Sequence, residues 1–331
     1  MLILQALKSK NTRLLWTGQV LSSIGDEVYR VAFIWLAVSL IGPDTGFMVG
    51  TQVFAVLIVA LFGGKWADHW DQYKTMFWAD IVRAVLILIP VFITLTFKLS
   101  LPVLWITSIF ISGIGGFFEP ALQSVLPEQC KDQKTLQAAT GLMSTTLRMA
   151  RVTAPIIIAA LATFVPTIHF FTINSLSYLI SAFTLYLLVR MPKPNPQVKP
   201  KLDKHGIFKT LTHAVQTLKK QPITSRAMFL KALMAGPWWV GYALGFALLV
   251  KEKFPNNMVA FSLVMGTYGA GNLLSALIFG SFHRKHPERQ LYLGFFVLAA
   301  GFLMVGSAPS LFWIAFGSFI AAMSGPLNDI P

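Results

Sequence analysis

Long apolar runs dominate this chain and decide what it can fold into. Ten stretches are close to or above the roughly 20 residues a helix needs to cross a bilayer. They fall at about 14–40, 47–67, 75–97, 102–126, 139–163, 168–189, 223–250, 258–282, 291–308 and 311–331. Short polar turns separate them, such as Gly42-Pro43-Asp44-Thr45-Gly46, Lys98-Leu99-Ser100 and Pro255-Asn256-Asn257. The runs do not alternate polar and apolar residues, as the strands of a membrane barrel would. Charged residues make up only 12% of the 331 residues, about half the ~25% of a soluble domain. The chain is therefore expected to be an all-α polytopic membrane protein. Asp26, Glu27 and Arg30 interrupt the first run, which is unlike the apolar centre of a cleavable signal and reads as a span.

The formal net charge of +14 invites a nucleic-acid partner, but the placement of the charges argues otherwise. With the N-terminus inside, nineteen of the 27 Lys and Arg fall in segments on that side and three on the other. This is the positive-inside distribution of an inner-membrane protein, with a cytoplasmic N-terminus and no nucleic-acid surface. The densest basic segment, 191–222, follows six spans. It opens with a Pro-rich spacer and continues with Ile207, Leu211, Val215 and Leu218 at helical spacing among lysines. It reads either as a surface helix on an anionic leaflet or as a polybasic linker. It divides the chain into a six-helix half, 1–190, and a four-helix half, 223–331.

The halves echo one another. Gly64-Lys65-Trp66-Ala67-Asp68 through Lys74, after the second span, parallels Gly280-Ser281-Phe282-His283-Arg284 through Gln290, after the eighth. Phe117-Phe118-Glu119-Pro120 parallels Met323-Ser324-Gly325-Pro326. Internal repeats of this kind mark secondary transporters. The segment from Gly64 to Lys74 resembles the loop signature of the major facilitator superfamily, departing from it at His69, Asp71 and Gln72. Ser23-Ile24-Gly25-Asp26, Ala79-Asp80-Ile81-Val82-Arg83-Ala84, Glu119-Pro120-Ala121-Leu122 and Leu147-Arg148-Met149-Ala150-Arg151 with Pro155 resemble its branch of macrolide, multidrug and enterobactin exporters. The resemblance implies a twelve-helix fold of which ten helices are read here, so the chain is expected to stop short of the full second half. It also implies proton-coupled, alternating-access export of amphipathic small molecules (drug-like compounds or a siderophore) by a monomer. For Gly64, Asp68, Lys74, Asp80 and Arg83 it implies a conformational role, tying helix ends together in one state.

Charges inside spans cost about 2.5–3.5 kcal/mol each on insertion scales, and so mark candidate sites. Asp26 and Arg30 are four residues apart on one helical face, and Glu27 also reaches Arg30. They form either a proton-coupling site or a neutralised structural pair. Glu119, before Pro120, is a second candidate proton carrier unless it lies at the watery end of its helix. Arg148 could bind an anionic substrate, counter Glu119, or sit near the cytoplasmic end against lipid phosphate. A cavity for drugs or an aryl siderophore is expected to be apolar and aromatic. Gly236-Pro237-Trp238-Trp239 interrupts the seventh span and offers two indoles, while Gln52 and Asn174 are polar residues that either line a cavity or bond neighbouring helices.

Enzyme readings fail on their motifs. The protease-like Ser23-Ile24-Gly25-Asp26 lacks the leading Gly, and Gly269-Ala270-Gly271 lies within a span with no preceding strand. There is no phosphate-loop lysine motif, and the lone Cys130 and scattered His offer no metal site. No cofactor is expected. The remaining alternatives are a lysophospholipid flippase, a non-transporting membrane receptor or assembly factor, and an inactive remnant.

Overall fold

The computed structural model describes residues 7, 9–67, 70–130, 132–192, 216, 220–279 and 287–329. Among these residues every regular element is a helix. They form two compact units, Met1–Leu202 and Asp203–Pro331.

The first unit contains α1 (Lys10–Ile41), α2 (Thr45–Ala67), α3 (Gln72–Thr96), α4 (Leu101–Glu128), α5 (Gln133–Leu161) and α6 (His169–Val189). Local chemistry fixes the ends of these helices. Asp71 caps α3 by accepting the Tyr73 and Lys74 backbone N–H groups at 3.0 and 3.3 Å, and Asp132 caps α5 by accepting that of Thr135 at 2.7 Å. Gly42, at φ 58°, ends α1 in a conformation that a side chain disfavours, and a short 3-10 turn through Asp44 leads into α2.

The six helices pack with α1 against α6 and α5, α3 against α6 and α4, and α2 against α4. Leu15, Tyr73, Met76, Phe118, Leu122, Met143 and Leu185 form a shared apolar core. Closest approach comes at Gly25, where an added Cβ would lie 2.8 Å from Ser177 Cβ. The glycine lets α1 and α6 meet at van der Waals distance, as small residues do in membrane bundles.

The second unit holds α7 (Pro222–Val240), which continues through a π-helical turn (Gly241–Gly245) into α8 (Phe246–Lys253). It also holds α9 (Met258–Phe279), α10 (Pro287–Gly306), α11 (Leu311–Ala322) and the short α12 (Ser324–Asp329). The chain turns before α9 at Asn256, which adopts the left-handed conformation that asparagine tolerates. The interruption expected at Gly236–Trp239 is thus no break. Helical backbone runs on past Pro237 and widens one turn later, where Gly241 admits the Phe302 ring.

The tenth expected span, by contrast, is divided at Met323. Pro326 has no N–H to offer the Ala322 carbonyl. That carbonyl instead accepts Asn272 Nδ2 at 3.4 Å, and the Met323 carbonyl accepts Ser275 Oγ at 2.7 Å. Side chains of α9 therefore satisfy backbone groups that lipid could not.

Among the described residues eight segments, rather than ten, are long and apolar enough to cross a membrane. The difference arises at two places. Lys10–Ala60 is one continuous apolar segment of 51 residues, roughly 75 Å of helix and more than twice a ~30 Å hydrocarbon core, so it holds both α1 and most of α2. The α5 helix falls outside the eight because Lys134, Arg148, Arg151 and several threonines lie along it.

The units bury several polar groups and turn large apolar side chains outward, unlike a water-soluble protein. Asp80, Asn174 and Ser181 are buried, whereas Phe92, Phe183, Phe296 and Leu303 point outward, Leu303 with 75% of its surface exposed. Water would penalise that arrangement; hydrocarbon does not.

Candidate functional site

The first unit holds a cavity of about 190 Å³ lined from four helices, three of which bring charges to it. Gln19, Ser22, Ser23, Asp26 and Glu27 reach it from α1, Arg83 from α3, Phe118 and Glu119 from α4, and Leu147 from α5. On α1 these residues follow helical spacing, so one face of the helix carries the polar stripe.

Asp26 lies between α1 and α6. Its Oδ1 accepts the Tyr178 hydroxyl and, at 3.4 Å, Asn174 Nδ2. Asn174 is fully buried, and its own Oδ1 accepts the Ser177 hydroxyl at 2.9 Å. Asn174 therefore supports Asp26 and is not among the cavity's lining residues.

Arg83 is the buried cation of the site, 6% exposed. It pairs with Asp80 one turn away on α3. Its guanidinium carbon also stands 4.3 Å from the Tyr178 ring centroid and 4.7 Å from that of Phe118. Cation–π contacts of this kind strengthen when water is excluded. Asp80 Oδ2 is buried and has no hydrogen-bond partner among the described residues. The Asp80–Arg83 pair therefore stands inside the unit beside Asp26 and does not bridge helix ends.

Glu27 is the second ionic centre. Arg30 Nε donates to its Oε2 at 2.9 Å, and Arg151 Nε stands 3.5 Å from its Oε1. Arg30 thus pairs with Glu27 and not with Asp26, because Asp26 turns toward α6. Glu119 is exposed at the cavity, and its Oε1 accepts Gln123 Nε2 at 2.8 Å. Arg148 is half-buried on α5, one turn before Arg151. Gln52 donates to Ser108 Oγ at 3.0 Å and so joins α2 to α4.

The remaining expected residues lie elsewhere. Lys74 lines a separate groove of about 560 Å³ between α3 and α4 with Trp70, Trp78 and Phe117. Gly64 lies within α2, while Asp68 and the expected surface helix of the linker lie outside the described residues. In the second unit Trp238 donates to the Tyr268 hydroxyl at 2.6 Å and stacks on Tyr242 at 5.6 Å. Trp239, Phe246 and Phe302 extend this aromatic cluster.

Sequence reasoning missed Tyr178, Ser22, Ser23 and Gln19. Two periodic signals carried them: Gln19, Ser22, Ser23 and Asp26 on one face of α1, and Asn174, Tyr178 and Ser181 on one face of α6. This cavity is polar and charged, whereas aromatic side chains line the separate groove of the first unit and cluster around Trp238 in the second.

Comparison with known proteins gives a consistent result. The family described as Major Facilitator Superfamily matches residues 15–330. "Putative bacilysin exporter BacE" of Bacillus amyloliquefaciens is 26% identical over 327 residues, covering 92% of this chain and 77% of its own length. "Uncharacterized MFS-type transporter YfiS" of Bacillus subtilis (strain 168) is 24% identical over 310 residues, covering 91% and 70%. Among solved structures, a D-xylose-proton symporter superimposes with a TM-score of 0.63 at 13% identity, covering 96% of this chain and 80% of its own. The POT family transporter PepTSo gives 0.59 at 16% identity, covering 96% and 81%. At such identities the structural likeness speaks for the fold alone.

Proposed function

The chain belongs to the major facilitator superfamily, a family of transporters and not of enzymes, and on that premise we propose that it exports small amphipathic molecules across the inner membrane by proton-driven alternating access. Asp26 is the proton carrier in this reading. The observation that carries it is a carboxylate inside a membrane bundle that opens onto a polar cavity yet has no ion pair of its own on α1. An intramembrane carboxylate that is neither neutralised in place nor exposed to bulk water is a site for reversible protonation.

The surrounding groups have complementary tasks. Glu27, held by Arg30 and Arg151, ties α1 to α5 through charges that can re-pair when the helices move. Glu119, at the cavity and bonded to the neutral Gln123, accepts a cationic group of substrate or relays the proton. Lys74 with Gly64 and Asp68 governs the turn after α2. Export as the direction of transport is supported by the relatives whose names describe exporters. The inner membrane and a cytoplasmic N-terminus are supported by the positive-inside charge distribution.

The test is substrate-driven proton movement in energised everted vesicles, followed with a pH-sensitive dye during addition of lipophilic cations and other amphipathic drug-like compounds. The Asp26→Asn variant should reach the membrane in normal amount and lose the response. Retention of proton movement by that variant would remove Asp26 from the mechanism.

A further inference from the structure

Tyr178 touches both charged centres at once. Its hydroxyl donates to Asp26 Oδ1, and its ring lies against the Arg83 guanidinium at 4.3 Å. Only 2% of the residue is exposed, so neither contact is shared with bulk water. The two contacts bridge α1, α3 and α6 through one rigid side chain whose position α6 fixes.

We propose that Tyr178 is the positioning residue that couples the protonation state of Asp26 to the placement of Arg83, an inference that rests on the reading of Asp26 as proton carrier. With Asp26 ionised, the hydroxyl donates to a full negative charge. A hydrogen bond of that kind draws electron density toward the phenol ring and so strengthens its hold on the cation above it. When a proton from the cavity water binds Asp26, the carboxyl no longer needs that donor. The hydroxyl turns away, the ring loses the added density, and Arg83 is left to Asp80 and Phe118. Tyr178 keeps its own proton throughout, and Arg83 keeps its charge. On release the proton returns to the cavity and the three groups re-form.

Other charged groups surround Asp26, but they are placed differently. On α1, Glu27 faces Arg30 and Arg151, and the Tyr29 ring packs on Phe171 at 4.7 Å. On α3, Asp80 is committed to Arg83. On α4, Glu119 bonds Gln123, and on α5, Arg148 is half-buried. The α6 helix faces Asp26 with the neutral Asn174 and with Tyr178. Asn174 also reaches the carboxylate, and Asp80 and Phe118 also reach the cation, but among the described residues Tyr178 is the side chain seen to contact both.

Infrared difference spectroscopy of the full chain in nanodiscs tests this without a transported substrate. The carboxyl stretch of protonated Asp26 is assigned as the band that Asp26→Asn removes, and its pH midpoint is then measured. Tyr178→Phe keeps the ring and deletes the donor. It should raise the midpoint by about one pH unit, the shift expected for loss of one hydrogen bond to a charged group. The frequency of the band itself should change little, because the hydroxyl has already left the protonated carboxyl. In wild type carrying ring-labelled tyrosine, a tyrosine band should change at the same midpoint. That measurement serves alone if the Phe variant does not fold.

An Asp26 band with an unchanged midpoint in Tyr178→Phe, or an unresponsive tyrosine band in wild type, would overturn the coupling and leave Asp26 as carrier. Absence of any band sensitive to Asp26→Asn would overturn the carrier reading itself, and the coupling with it.

Discussion

Gly25 is the position where a single methyl group should do the most damage to the site. A Cβ there would overlap the Ser177 hydroxyl and the Asn174 carboxamide oxygen, and would stand 2.8 Å from Ser177 Cβ. Carbon atoms rest near 3.5–4.0 Å, so α1 and α6 must separate by roughly half an ångström or more. The Asn174 bond to Asp26 is already 3.4 Å long and would not survive that movement. The Tyr178 bond would lengthen with it. Overpacking of this kind costs about 1–3 kcal/mol.

Gly50 provides the control, because a Cβ there meets nothing within 4 Å. Its replacement by alanine should be neutral or stabilising by about 0.5–1 kcal/mol, through the better helix propensity of alanine. Thermal unfolding in detergent should therefore place Gly25→Ala below wild type and Gly50→Ala at or above it. Spectra of Asp26 protonation should change only in Gly25→Ala. If the two variants unfold alike and leave Asp26 undisturbed, the close approach of α1 and α6 is not what holds the carboxylate in place.

The buried pair makes a second prediction. Arg83→Gln leaves Asp80 as an uncompensated buried charge and should cost about 3–5 kcal/mol, most of which a second Asp80→Asn change should restore. Unfolding midpoints of the single and double variants test this, and a double variant no better than the single would contradict it. A third prediction concerns the α5 cap, outside the spans. The Thr135 N–H and hydroxyl hold the Asp132 carboxyl below its ordinary range. Its cap is therefore complete above the ordinary carboxylate range and should be lost only as the pH falls through the lowered value. Hydrogen exchange of the first turn of α5 should rise at acid pH in wild type. It should be fast at every pH in Asp132→Ala, and a wild type that is flat across acid pH would refute the cap.

Much of the fold is local and was therefore legible. Apolar runs set the helices, and the turns at Gly42-Pro43-Asp44, Lys98-Leu99-Ser100 and Pro255-Asn256-Asn257 coincide with breaks between α1 and α2, α3 and α4, and α8 and α9. Proline was read less well, because its effect depends on who satisfies the carbonyl it leaves free. At Pro326 side chains of α9 do so and the helix divides, whereas past Pro237 the backbone absorbs the change in a wide turn.

The charges show the same limit more sharply. Spacing rules place both Asp26 and Glu27 within reach of Arg30 and cannot choose between them. The choice was made by Gly25, which brings α6 against α1 and turns Asp26 toward Tyr178, 152 residues away in the chain. Sequence alone determined that this chain enters a membrane, as helices, with ionisable groups inside, because hydrophobicity and helical period act over a few neighbouring residues. Only the tertiary structure decided which of those groups share a cavity and which neutralise one another. A charge inside the bundle pairs with whatever the packing of distant helices brings within a few ångströms.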